Sequence, residues 1–384
     1  MPARIFTITG ENMIIRRPPA GVSFGSASMD RRACLRRVVG YAGLLGVGAS
    51  LAACGGGGYA SAPVAATATG SGLVYTPDIQ GPFPIPQNER GLPTVTAEPY
   101  FQVSDKGLQL EGASFDRDGN LLFVDVFGGT IFKLSPTKSL STVLPANNRG
   151  AAGLAIHKDG RIFVAGLGNF VDTGSVFWIN PDGSGLTTIV PASAGYLPDD
   201  LVFDANGGFY FTDFRGSTTN PIGGVYYVSP DFKTITPILE HMAIANGVCL
   251  SPDGKVLWAT ELSAGRLHKV EMADATKIAP FGTAVPYYFS GFAPDSMRSD
   301  SDGNVYVAMY SQGRVLAFNP NGIAIGQILL PKRDSGHNMR STSVGFVPGT
   351  NEMVILTNDA DGGEGSWIFR AKGFAKGTVL YSHT

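Results

Sequence analysis

A turn followed by a β-rich run recurs through this chain, and that recurrence constrains the fold more than any single residue does. Residues 118–124 read Asp-Gly-Asn-Leu-Leu-Phe-Val, 159–164 Asp-Gly-Arg-Ile-Phe-Val, 206–211 Asn-Gly-Gly-Phe-Tyr-Phe, 253–258 Asp-Gly-Lys-Val-Leu-Trp and 302–307 Asp-Gly-Asn-Val-Tyr-Val. A degenerate sixth copy, Gly-Thr-Asn-Glu-Met-Val-Ile, occupies 349–355. The turn glycines fall at 119, 160, 207, 254 and 303, with Asn351 in the sixth place, giving spacings of 41, 47, 47, 49 and 48. A period in the forties with β-branched and aromatic runs is the signature of a propeller with four strands per blade. Further strands are visible within the units, at 223–228 and 313–318, and no segment carries a long helical period. The expectation is an all-β, six-bladed β-propeller over about residues 92–384. Its ring should close by pairing Tyr100–Val103 with the last repeat, at Trp367–Phe369 or Thr378–Tyr381, because closure removes exposed sheet edges.

Four oxygen-bearing residues share one offset within this repeat. Glu111, Asp199, Asn246 and Asp295 each lie five positions before the first residue of a turn, at Asp116, Asp204, Ser251 and Asp300. A shared offset means a shared place in space, on the innermost strand lining the central channel. The other two repeats offer Ala152 and Ser343 there. Three carboxylates and an amide converging on the axis would repel one another unless a cation sat among them. Hard oxygen donors favour calcium over zinc or copper. The expectation is a single axial Ca2+ site.

The N-terminus has the pattern of an export signal. Arg31-Arg32 and Arg36-Arg37 precede an apolar run from Val38 to Ala53, which is short for a transmembrane span and ends Leu51-Ala52-Ala53-Cys54. This resembles a bacterial lipobox, with Cys54 as the lipidated residue, and the arginine pair resembles a twin-arginine signal. The implied protein is a lipoprotein of the cell envelope, on the outer membrane in a two-membrane cell, with Met29 as a plausible start. Residues 55–91, Gly-rich and then Ala/Ser/Thr/Pro-rich, suggest a flexible tether. Without residues 1–54, 22 basic and 29 acidic residues remain, a net charge of −7. An acidic body with no basic stripe argues against nucleic-acid binding. Cys249 would be the one cysteine left beyond Cys54, so no intrachain disulfide would form in the mature chain.

The offset residues sit in longer strings: Leu110-Glu111-Gly112, Pro198-Asp199-Asp200, Ala245-Asn246-Gly247 and Pro294-Asp295-Ser296. Together with 199–216 and 305–314, these resemble the senescence-marker-protein/gluconolactonase/luciferin-regenerating family, and within it the drug-responsive-protein lactonase branch. The resemblance covers nearly all of the chain after residue 95 and implies a calcium-dependent lactonase. On it, Glu111, Asp199, Asn246, Asp295 and Ser296 surround the metal, and Asp295 is the acid/base residue. The branch also implies a second calcium in a loop matching Asp172, Gly174 and Tyr196, although Pro191 stands where the branch offers an aspartate.

The chemistry follows from the donors. A calcium ion polarises a lactone carbonyl and stabilises the oxyanion, and a nearby carboxylate moves the proton. Asp295 and Asp200 are the candidates for that carboxylate, with Asp200 alternatively a support beside its ligand neighbour. His337, Phe170 and Tyr288 are candidate substrate contacts. No Gly-x-Ser-x-Gly elbow or zinc-type histidine pair is evident within the repeats. Two functions from different classes compete. One is a hydrolase of small-molecule lactones or related esters. The other is a surface-tethered propeller that binds a ligand or protein, with calcium as a structural plug. The carboxylate of Asp295 favours the first.

Overall fold

The computed structural model describes residues 6–7 and 72–384, apart from 292, 293 and 361. The expected export leader with Cys54, and the expected tether up to residue 71, lie outside the described residues except for Phe6–Thr7, a short strand paired with Thr234 and Ile235. The body is a six-bladed propeller. The inner strands are Leu110–Phe115, Ala151–Ile156, Pro198–Phe203, Ala245–Leu250, Pro294–Ser299 and Arg340–Phe346, which define blades one to six. Each is followed outward by two or three antiparallel neighbours in chain order, and strands from before residue 105 complete the outer edges of blades five and six.

The apolar runs of the repeats become the second strands, and they are buried on both faces. Alternate side chains point to opposite sides of a strand, so one run serves two interfaces. Leu121 and Phe123 pack against blade six, while Leu122 and Val124 pack against blade two. The same division recurs around the ring, producing one hydrophobic cluster between each pair of neighbouring blades. Cys249 belongs to the cluster between blades four and five, and burial pushes its thiol up to about 12.

Ring closure occurs where the first alternative placed it. Glu98–Ser104 is the outermost strand of blade six, with Trp367 opposite Gln102 and Ile368 opposite Phe101. Thr378–Tyr381 does not add a strand. The C-terminal segment crosses the turn end of the channel instead. There Thr378 binds the backbone oxygens of Ser299 and Asp300, and Tyr381 packs on Phe203 and His157.

The expected tether needs correction at its C-terminal end. Residues 82–91 pack against blade five, and Thr94–Thr96 runs parallel to Gln327–Leu329 on its outer edge. Glu89 is buried and ion-paired at 2.5 Å with the fully buried Arg314, and it also accepts a hydrogen bond from Tyr287. Arg333 reaches back to the Phe83 carbonyl at 2.6 Å. Proline-rich composition is compatible with a fixed strap as well as with a loose chain, and here the buried charges select the strap.

Candidate metal centre and active site

The inner strands share a local irregularity that creates the site. In every blade the register between inner and second strand slips near the offset position: between Glu111 and Ser114, Ala151 and Leu154, Pro198 and Leu201, Ala245 and Val248, Pro294 and Met297, and Ser341 and Ser343. Bulges of this kind bend a strand and re-aim side chains. The bulge also frees backbone amides, and threonines of the second strands receive them. Thr212 Oγ1 accepts from the Asp200 amide (3.0 Å) and donates to the Asn246 carbonyl. Thr260 Oγ1 accepts from the Gly247 amide (2.7 Å) and donates to the Asp295 carbonyl (2.9 Å). These hydroxyls tie each blade's bulge to the next blade's backbone.

Glycine after the offset residue lets adjacent inner strands touch. A β-carbon on Gly247 would lie 2.6 Å from the Asp295 carbonyl oxygen and 2.8 Å from the Ser296 α-carbon. Both obstacles are backbone and cannot swing away. Gly247→Ala should therefore cost about 1–3 kcal/mol through overpacking, read as a lower thermal midpoint than wild type. An unchanged midpoint would show that the inner strands can separate freely.

The structure brings Glu111, Asp199, Asn246, Asp295 and Ser296 together at the mouth end of the channel, all of them buried. Ser296 Oγ is 3.4 Å from Glu111 Oε2, and Asp295 Oδ1 accepts the Ser296 amide at 2.9 Å. Asn246 and Glu111 are the side-chain neighbours of the Asp295 carboxylate. Desolvation holds the Glu111 carboxyl well above its ordinary value, and the charges of Asp295, Asp199 and Asp200 push the same way. Asp199 is raised by burial and then by Asp295 and Asp200. Asp295 is raised chiefly by burial, against the pull of the Ser296 amide. The Asn246 side-chain oxygen is buried without a hydrogen-bond partner. Crowded buried carboxylates and an orphaned amide oxygen are the donor set of a hard divalent cation, so these residues fit a calcium ion.

Other candidates fall elsewhere. Asp200 is fully buried with both oxygens engaged. Arg298 Nη1 reaches Oδ2 at 3.0 Å, the Val248 amide reaches the same oxygen at 3.3 Å, and the Leu201 amide reaches Oδ1 at 2.9 Å. Ser343 accepts the Ala113 amide at 3.2 Å. In the loop expected to hold a second calcium, Gly174 lies against the Tyr196 carbonyl, but the Asp172 carboxylate is engaged by Asn169 at 2.8 Å and the Tyr196 ring packs on Phe211 and Tyr226. His337 stands on the loop leading to blade six, its Nδ1 2.7 Å from Asp359. Phe170 is 39% exposed on a mouth loop of blade two, with its ring 5.8 Å from that of Phe127 on blade one. Tyr288 ends the outermost strand of blade four, three strands from the axis, and is not brought near the carboxylates.

Sequence reasoning missed Arg298, Phe127 and a ring of acids closing the second strands. Asp213, Glu261 and Asp359 accept the amides of Leu197, Ala243 and Asn338, each just ahead of the inner strand of the acid's own blade. Asp125 ends the second strand of blade one in the same place, with its Oδ2 accepting the Gly128 amide at 3.1 Å. Their signal was available: each acid follows its turn glycine by six or seven residues in blades one, three and four.

Comparison with known proteins bears on the family and the fold. Residues 110–355 match the model of the SMP-30/gluconolactonase/LRE-like region. The chain is 53% identical over 313 residues to lactonase drp35 of Staphylococcus saprophyticus, covering 80% of this chain and 97% of that one. It is 53% identical over 294 residues to lactonase drp35 of Staphylococcus aureus strain USA300, covering 76% and 91%. Among solved structures it resembles the calcium-binding protein regucalcin of Agrobacterium tumefaciens (TM-score 0.62, 18% identity, 75% and 99% covered). It also resembles a gluconolactonase of Xanthomonas campestris (TM-score 0.58, 16% identity, 71% and 94% covered). The matched span holds every inner strand and all five clustered donors, and the chain belongs to the SMP-30/gluconolactonase/LRE-like family.

Proposed function

We propose that this protein is a calcium-dependent hydrolase that opens lactone rings, with Glu111, Asp199, Asn246, Asp295 and Ser296 holding the ion. The observation that carries the reading is the buried cluster of the Glu111, Asp199 and Asp295 carboxylates, with Asn246 beside Asp295 carrying a buried side-chain oxygen that has no partner. Relatives named as lactonases, at 53% identity, supply the substrate class. A bound calcium ion would polarise the lactone carbonyl and favour the negative charge that develops on its oxygen.

The chain's own residues supply the rest. Asp295 is the acid/base group: it takes a proton from the attacking water and returns it to the ring oxygen as the C–O bond breaks. One of its oxygens is fixed by the Ser296 amide, which leaves the other to move the proton. Asp200 does not serve as that base, because Arg298 and two amides occupy its oxygens. Blade two contributes Ala152 in place of a donor, and blade six a Ser343 already engaged by the Ala113 amide, so no protein donor reaches the cluster from the side of blade two. The Phe127–Phe170 pair on the same side of the mouth offers an apolar wall for the part of the substrate that does not react.

The test is hydrolysis of dihydrocoumarin and a γ-lactone, followed by titration, with and without EDTA. Chelation should reduce the rate at least about 100-fold, and excess calcium should restore it. Hydrolysis indifferent to EDTA would sink the metal reading. No hydrolysis of either lactone in the presence of calcium would favour a binding propeller with a structural ion.

A further inference from the structure

Asp200 lies where four inner strands meet. Its own strand belongs to blade three. Its Oδ2 takes the amide of Val248 on blade four (3.3 Å) and Nη1 of Arg298 on blade five (3.0 Å). Its Oδ1 takes the amide of Leu201 (2.9 Å) and lies 3.5 Å from Arg298 Nη2. Gly153 of blade two abuts it so closely that a β-carbon there would stand 2.8 Å from Oδ1. Arg298 is buried, and its Nη1 also donates to the Met297 carbonyl at 2.6 Å, which fixes the guanidinium to its own strand.

The sequence distances matter. Asp200 is one residue from Asp199, Val248 two from Asn246, and Arg298 three from Asp295. A single carboxylate thus grips the three strands that carry three of the four offset donors. We infer that Asp200 and Arg298 are positioning residues, a bracket across blades three, four and five that sets the spacing of Asp199, Asn246 and Asp295 around a bound cation. The inference rests on the calcium reading proposed above. The fork of the guanidinium suits this task, because two donors in a fixed plane hold a carboxylate in orientation as well as position. A point charge would hold it by distance alone.

The experiment measures calcium affinity by titration calorimetry on the full chain, stripped of metal, at a temperature below each variant's thermal midpoint. Asp200→Asn and Arg298→Gln should each weaken calcium binding about 10–100-fold, the range for losing a group that orients ligands. The double variant D200N/R298Q should weaken it by less than the product of the single effects, since neither partner is then left charged and unpaired in the interior. Arg298→Lys keeps the charge and is the variant whose folding is least at risk. It should weaken binding several-fold through loss of the fork alone. A merely structural pair would lower the midpoint and leave affinity below it unmoved. Wild-type calcium binding with unchanged affinity in folded R298K and D200N would overturn the bracket and leave the metal site standing. Absence of calcium binding in the wild type would overturn the calcium reading and the bracket with it.

Discussion

Replacing Asp295 by asparagine is expected to lower kcat on a lactone about 10²–10⁴-fold, the usual weight of a positioned acid/base group. An amide can still offer an oxygen to a cation, so calcium affinity should fall far less than turnover. The carboxylate is buried among Glu111, Asp199 and Asn246, and the Ser296 amide holds one of its oxygens. Asparagine is nearly the same size and keeps that contact, so the change isolates the proton-moving capacity. Steady-state kinetics at saturating calcium, beside a calcium titration of the same protein, separates the two effects. Full turnover in D295N together with its loss in D200N would reverse the roles assigned to these residues. A parallel collapse of affinity and turnover in D295N would make Asp295 a ligand and nothing more.

The second large effect lies outside the site. Glu89→Ala should destabilise the fold by about 3–5 kcal/mol, because it leaves Arg314 charged and fully buried. For a body of this size that corresponds to a drop of roughly 5–8 °C in thermal midpoint. Gln312 and Gln327 remain as acceptors for the Arg314 guanidinium, but both are neutral and cannot replace the charge. Tyr287 also loses its acceptor. Thermal denaturation of the variant measures this directly. A shift of under about 1 °C would mean that residues 82–91 are held mainly by Arg333 and the Phe83 contacts.

These two residues mark the boundary between what could be read and what could not. Asp295 was legible because strand register converts equal offsets in a repeat into equal positions around an axis. The turn glycines supply the ruler, and Glu111, Asp199, Asn246 and Asp295 fall on the same mark. The strap was illegible because composition averages over a segment. One buried acid among prolines and polar residues leaves no pattern, and its partner Arg314 is more than 200 residues away.

The sequence by itself determined the six-bladed ring, the use of Tyr100–Val103 to close it on the last repeat, and the shared offset of the donors; the structure chose Trp367–Phe369 over Thr378–Tyr381 as the closing partner. The ring, its closing strand and the offset depend on local periodicity, which survives in one dimension. Only the tertiary structure decided what surrounds those donors. The bulges change the parity of each inner strand, so alternation counted along the chain no longer tells which way a residue such as Asp200 points. Arg298 sits 98 residues from Asp200, and Phe127 sits 43 from Phe170, on different blades. Tyr288, an aromatic in a strand like many others, ends up three strands from the axis. Contacts of this kind are made by the closing of the ring, and they are fixed when neighbouring blades come into register.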